Sequence, residues 1–313
     1  QWLPGEDDRF IFNDWDDDAG SLVTRCMDLS GREVTRYDRP IYVISPDGRW
    51  GASLNFARIP RRGYSYADAG FDAEPADLDG DGVFLTDLRS GSTSLVVSYR
   101  QMLARHPAPF LAEGRHWWLN HIMFNADSTK LLFLLRHTPD VNKPYPWQTH
   151  LYTARIDGGD LACPMPDFYW KWVSHHIWGR TPGEILIDAN WQGEGSEYVV
   201  FDERVRPLQA SRLSRGMVPC GHLIFSPDGR RLLADTYEVD RWQTLALVNV
   251  DTGEYEVIGR FTHPTRDELH HDVRCDLHPK WSPDGGMISI DSLHDGMRGI
   301  YTRPCPNDCD KPS

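Results

Sequence analysis

Hydrophobic positions along this chain come in short runs separated by polar turns, and the turns share one phrase. An aromatic or aliphatic residue closes a run, a Ser-Pro-Asp-Gly or close variant follows, and a fresh apolar run begins. The phrase stands as Ile44-Ser45-Pro46-Asp47-Gly48-Arg49, Phe225-Ser226-Pro227-Asp228-Gly229-Arg230 and Trp281-Ser282-Pro283-Asp284-Gly285, and in looser form as Phe124-Asn125-Ala126-Asp127-Ser128-Thr129-Lys130. Proline presets φ and glycine reaches conformations other residues avoid, so each copy predicts a tight turn between two strands. A second pattern completes the repeat: alternating strands that run into polar glycine hairpins, at residues 84–91, 151–158 and 245–253. Patterns with the helical period are nearly absent.

Aligning the phrase places anchors near Leu3, Ile44, Phe124, Trp178, Phe225 and Trp281. Each interval holds roughly four strands, and spacings of about 50 residues fit propeller blades better than shorter solenoid repeats. The expected fold is therefore all-β, a single β-propeller domain over residues 1–313 built of four-stranded blades. Six units are visible, and seven blades are favoured because the strands that should precede Leu3 are missing. The interval from Ile44 to Phe124 is long, and its excess forms two insertions, 58–82 and 101–118. Insertions of this kind are expected to be binding loops at one mouth of a propeller.

Composition narrows the partners. With 313 residues, 40% hydrophobic and twelve of them Trp, the chain can fill a sizeable core. No run reaches the ~18 apolar residues of a membrane span. A net charge of −13 argues against nucleic acid and anionic lipid, which are held by many Lys and Arg contacts. Any anionic ligand must meet local positive charge. Six cysteines are too few for a disulfide-built scaffold, although Cys305 and Cys309 could pair in an oxidising compartment. The chain opens at Gln1 within a strand unit and shows no signal-peptide pattern, as leader processing or trimming would each leave it; a secreted or periplasmic location is the expectation.

The chemistry-bearing residues cluster just before the turns. His222 precedes Phe225, and Cys275 and His278 precede Trp281, so equivalent positions of adjacent blades present two imidazoles and a thiol. These are nitrogen and sulfur ligands suited to zinc or a similar divalent ion, with Cys220, His270, His271 or water as a fourth. The competing reading is a channel merely filled by His and Cys. Two earlier blades carry Asn120-His121 and Ser174-His175-His176 at the same place, and His137 follows on the next strand; repeated imidazoles there suggest proton transfer or ligation. The stretch from Asn55 to Tyr66 sets Arg58, Arg61 and Arg62 beside Tyr64 and Tyr66, either a carboxylate or sulfate site or a solvated loop. Asp77, Asp79 and Asp81 lack the glutamate of an EF-hand and read as the approach to a hairpin. Nucleophile-elbow, phosphate-loop and dinucleotide motifs do not occur.

These residues bring a family into view. Gly221-His222, Asp235-Thr236-Tyr237, Arg274-Cys275-Asp276-Leu277-His278-Pro279 and Asp291-Ser292, with Asn120-His121-Ile122 and Val173-Ser174-His175, resemble motifs of the propeller polysaccharide lyases, notably ulvan lyases and more distantly oligogalacturonate lyases. The resemblance covers most of the chain from Leu54 onward. It implies β-elimination at a 4-linked uronic acid in an anionic polysaccharide or oligosaccharide. It makes His121 the base and His137 or a tyrosine the acid, with Arg58 and Asn120 neutralising the carboxylate. His175, Arg61, Tyr64 and Tyr66 join them as substrate contacts. Where relatives often carry Tyr after the Ser-His pair, this chain has His176, a further acid or base candidate. The resemblance with ulvan lyases and the Cys275 thiolate imply a structural zinc, and the alternative function is a non-catalytic glycan-binding or scaffold propeller holding it.

Overall fold

The computed structural model describes residues 1–6, 8–60, 70–144, 147–165, 173–190, 197–213, 221–265, 268 and 274–306. Among them the chain forms two compact units, Gln1–Phe168 and Tyr169–Ser313. Each unit holds three antiparallel sheets whose strands follow one another in chain order.

In the first unit, one sheet comprises β1 (Arg9–Asp16), β2 (Ser21–Asp28) and β3 (Glu33–Tyr37). The next comprises β4 (Val43–Ile44), β5 (Trp50–Ser53), β6 (Gly82–Asp87) and β7 (Thr93–Ser98). The third has β8 (His116–Phe124), β9 (Lys130–Thr138) and β10 (Gln148–Arg155). In the second unit the sheets are β11 (Val173–Trp178), β12 (Glu184–Ala189), β13 (Glu197–Asp202) and β14 (Ala210–Arg212); β15 (Leu223–Phe225), β16 (Arg231–Asp235), β17 (Trp242–Asn249) and β18 (Tyr255–Thr262); and β19 (Lys280–Trp281), β20 (Met287–Ser292) and β21 (Gly299–Pro304). The anchors Ile44, Phe124, Trp178, Phe225 and Trp281 each end the first strand of a sheet. At Leu3 that strand shrinks to a single bridge between Trp2 and Phe10.

The turn phrase earns its recurrence through local hydrogen bonds. Ser45 Oγ donates to Asp47 Oδ1 at 2.5 Å and accepts from the Trp50 amide at 2.9 Å, while Gly48 turns with φ +69°. Ser226, Asp228 and Gly229 repeat the arrangement, as do Ser282, Asp284 and Gly285. Serine and aspartate thus satisfy turn donors that a bare loop would leave to water.

Sheets pack face to face through their alternating apolar residues. In the first unit Ala52, Val83 and Leu85 meet Leu119, Leu131 and Phe133 in one core. In the second, Leu186 and Tyr198 pack on Leu232 and Val248, and Leu233 and Leu247 on Leu277 and Ile290. Each such fully buried aliphatic or aromatic side chain contributes about 1.5–3 kcal/mol relative to exposure.

The insertions are tied down where they are described. Phe56–Arg58 form a single 3-10 turn capped by the Asn55 side chain. Helix α1 (Tyr99–Ala104) begins with a reciprocal Ser98–Gln101 capping box, and the Tyr152 hydroxyl donates to the Met102 carbonyl at 3.0 Å. Both insertions contribute to a cleft of about 900 Å³, where Pro75 and Leu78 of the first face Leu103 and Phe110 of the second. Asp77 Oδ1 accepts from the Asp79 and Gly80 amides, and Asp79 pairs with Arg100, so these carboxylates shape the approach to β6.

Candidate functional site

His121, His175, His222 and His278 each stand three residues before an anchor, which makes His175, rather than His176, the member of the series. The backbone repeats there too. The β8–β9 register slips between Asn120 and Met123, and the β11–β12 register between Ser174 and Ile177, so a bulge sits at the histidine in both. His121, His175 and His278 adopt φ of 51°, 40° and 41°. A left-handed non-glycine residue costs roughly 1–3 kcal/mol, and such residues gather at sites where their direction is used.

In the second unit three of these histidines meet. The His175 and His222 rings lie 4.8 Å apart, and the His222 and His278 rings 3.9 Å apart. His222, Asp276 and His278 bring ligand atoms within 4.8 Å of one another, a group able to hold a metal ion. Cys275 is not in that group. Burial alternates along residues 274–278: Cys275 and Leu277 are buried, whereas Asp276 is half-buried and His278 exposed. The expected His222, Cys275 and His278 set is corrected to His222, Asp276 and His278. Cys220, His270 and His271, the further ligand candidates, lie outside the described residues, as does Cys309.

The supporting contacts fit a cation. His222 Nδ1 lies 3.2 Å from Asp235 Oδ2, the carboxylate–histidine pairing that fixes a ligand's tautomer and ring. The Asp235 carboxylate also accepts from the backbone amides of His222 and His278. Burial opposes charge on His222, yet Asp235 prevails and its pKa is raised. Burial, then the neighbouring His222, lowers that of His278. Burial would raise the Asp276 pKa, but Arg274, which holds both its oxygens, brings it below the ordinary value.

A histidine in contact with both a tyrosine and an aspartate stands beside this group. His175 Nε2 lies 2.6 Å from the Tyr237 hydroxyl, and its Nδ1 3.5 Å from Asp188 Oδ2. Burial lowers the His175 pKa although Asp188 opposes it, and burial raises that of Tyr237. The Arg274 guanidinium lies 4.3 Å over the Tyr237 ring. Neither Asp276 nor the pairing of Tyr237 with His175 follows from residue spacing.

The remaining sequence candidates fall in or beside the first unit's core. Arg58 is 1% exposed and donates to the Trp117 carbonyl, Asp72 Oδ2 and the Glu74 carbonyl at 3.0–3.1 Å, while its own carbonyl meets His116 Nε2 at 2.7 Å. Its Nε and one terminal nitrogen thus serve contacts within the protein. His137 is wholly buried against His106 and His150, without a solvent-facing edge for substrate. Asn120 is buried, His121 half-buried, and His176, in the second unit, buried. Arg61, Arg62, Tyr64 and Tyr66 lie outside the described residues.

No protein-family pattern matches this sequence, and no curated protein is similar to it. Solved structures are. The chain is similar to TolB from Acinetobacter baumannii, with 13% identity, a TM-score of 0.52 and coverage of 97% of this chain and 65% of that one, so it spans just under two thirds of TolB's length. It is similar to the β-propeller domain of the trilobed protease from Pyrococcus furiosus, at 12% identity and a TM-score of 0.51, covering 94% of this chain and 77% of that one. An oligogalacturonate lyase from Vibrio parahaemolyticus shows a looser likeness, at 12% identity and a TM-score of 0.49, over 99% and 90% of the two chains. Together with its antiparallel sheets of three and four strands, the likenesses to TolB and to the trilobed protease domain define the fold class as a β-propeller.

Proposed function

We propose that this protein is a carbon–oxygen lyase that cleaves a uronic-acid-containing anionic glycan by β-elimination. The observation that carries the reading is the second unit's pairing of a metal-competent His222, Asp276 and His278 group with the hydrogen-bonded Tyr237 and His175. Elimination needs a neutralised carboxylate, a base for the C5 proton and an acid for the departing oxygen. The donor set fits a borderline ion, probed first with zinc: two imidazoles and one carboxylate leave coordination positions for a ligand, as catalytic rather than closed structural sites do. A divalent cation held there supplies the charge that neutralises a uronate carboxylate and acidifies its C5 proton.

The chain's own groups then move the proton. The Tyr237 hydroxyl proton passes to His175 Nε2 only in concert with the next transfer, because burial lowers the His175 pKa against Asp188 beside Nδ1 and raises that of Tyr237. The phenolate oxygen takes the C5 proton, the C5–H electron pair becomes the C4–C5 double bond, and the C4–O bond breaks. The leaving oxygen takes the proton from Tyr237 Oη, and Nε2 returns its own to the phenolate. Atoms and charge balance, and the products are an unsaturated uronate and a free hydroxyl. Arg274 fixes both Asp276 and the Tyr237 ring in this sequence.

The test is ultraviolet absorbance of the unsaturated uronate over a panel of uronate glycans, with the wild type and with Tyr237→Phe. The reading expects product on at least one glycan and a loss of at least about a hundredfold in the variant, the scale of an acid–base group. Absence of product on every glycan, with binding retained, would instead favour the glycan-binding propeller.

A further inference from the structure

A second group of metal-ligating side chains lies in the first unit, apart from everything assigned above. His106 follows α1 within the second insertion, His137 sits on β9 and His150 on β10. Gln148 pairs with His137 and Leu135 with His150, so the two strand histidines are diagonal neighbours on one face. Their rings stack at 5.6 Å with an interplanar angle of 6°, and His106 closes on His150 at 4.2 Å. Ligand atoms of all three lie within 4.8 Å of one another.

Three neutral imidazoles here form an unfavourable arrangement on their own. The residues are 5%, 0% and 8% exposed, and His106 Nε2, both nitrogens of His137 and His150 Nε2 have no hydrogen-bond partner among the described residues. Leaving a buried polar group unsatisfied costs about 1–3 kcal/mol, and an ion is one of the few things that satisfies several such groups together. Burial, with charge repulsion among the three, also drives the pKa of His137 and of His150 down to about 3. The nitrogens therefore keep their lone pairs across the physiological range, which is the state a metal requires.

We propose that His106, His137 and His150 bind a late first-row divalent cation, zinc being the probe of choice, which clamps the second insertion to the third sheet. Imidazole-only donors suit zinc, copper or nickel over magnesium or calcium. Three nitrogens leave one position of a tetrahedral ion open to a small ligand. Loading has a local cost: the Ala108 amide now donates to His106 Nδ1 at 3.0 Å, so the ring proton resides on Nε2. Binding through Nε2 moves that proton to Nδ1 and opens the Ala108 contact, without net proton release.

The experiment is zinc stoichiometry by elemental analysis after chelation, reloading and dialysis, on the full chain. His150→Gln is expected to remove one equivalent from the wild type and again from the His278→Ala background. An unchanged zinc count in both comparisons overturns the proposal. Should His150→Gln fail to fold, nuclear magnetic resonance of the wild-type chain decides: zinc must shift the His106, His137 and His150 ring signals and the Ala108 amide. Unmoved signals refute the clamp. Neither readout involves catalysis, so this proposal and the lyase reading stand or fall separately.

Discussion

Replacing Arg58 by methionine removes a guanidinium that is 1% exposed while roughly keeping its volume. What is lost is a charge-assisted bond to Asp72 and the donors serving the Trp117 and Glu74 carbonyls. Asp72 is 36% exposed at its side chain and can rehydrate, but the Trp117 carbonyl lies in a buried contact and cannot. Leaving that buried carbonyl without its donor typically costs about 1–3 kcal/mol. For a unit of this size that corresponds to a fall in melting temperature of roughly 2–12 °C. Denaturant and thermal unfolding followed by tryptophan fluorescence reads the change directly, since Trp117 and Trp118 sit in the same core. Arg58→Lys keeps the charge but loses the fork, and falls between the two. A melting temperature within about 1 °C of wild type would refute the burial argument and return Arg58 to the substrate contacts the sequence suggested.

Three further outcomes are expected. A Cβ at Gly221 would overlap the Asp235 carboxylate and carbonyl oxygens, so Gly221→Ala displaces the residue that orients His222, and zinc titration calorimetry should show weakened binding at unchanged far-ultraviolet dichroism. Asp235→Asn removes the carboxylate partner of a metal-ligating histidine and should weaken zinc binding by about 10–100-fold in the same titration, whereas unchanged affinity would count against the site. In metal-free protein, His137 and His150 protonate near 6.5 when unfolded but only at about 3 when folded. The unfolded state then binds more protons, so this contribution to stability is complete above about pH 6.5 and declines as pH falls toward 3. Chemical denaturation against pH should show that slope, and it should flatten in His137→Leu.

What could be read in advance was what local chemistry dictates. The turns were legible because Ser45, Asp47 and Gly48 satisfy one another within a few residues, as Ser226, Asp228 and Gly229 do, and their spacing set His121, His222 and His278 in one register with either His175 or His176. That Asp276 rather than Cys275 joins His222 and His278 was not legible, because spacing alone does not say which of the two neighbours is buried, and it is Cys275 that turns inward. His175 and His176 could not be told apart without the bulge that sets the left-handed residue first. Arg58 looked like a ligand for anions because nothing nearby in sequence announces that Asp72 and two carbonyls receive it. His106, His137 and His150 come together only through α1, β9 and β10, contacts that no motif encodes.

The central claim is that Tyr237 and His175, beside the His222, Asp276 and His278 group, carry out β-elimination. Its most direct measurement is the pH-resolved rate of unsaturated uronate formation by zinc-loaded wild type, Tyr237→Phe and Asp276→Asn on a glycan the wild type turns over. Both substitutions should abolish product formation to at least about a hundredfold below wild type while the fold is retained. Wild-type rates in Tyr237→Phe would contradict the account.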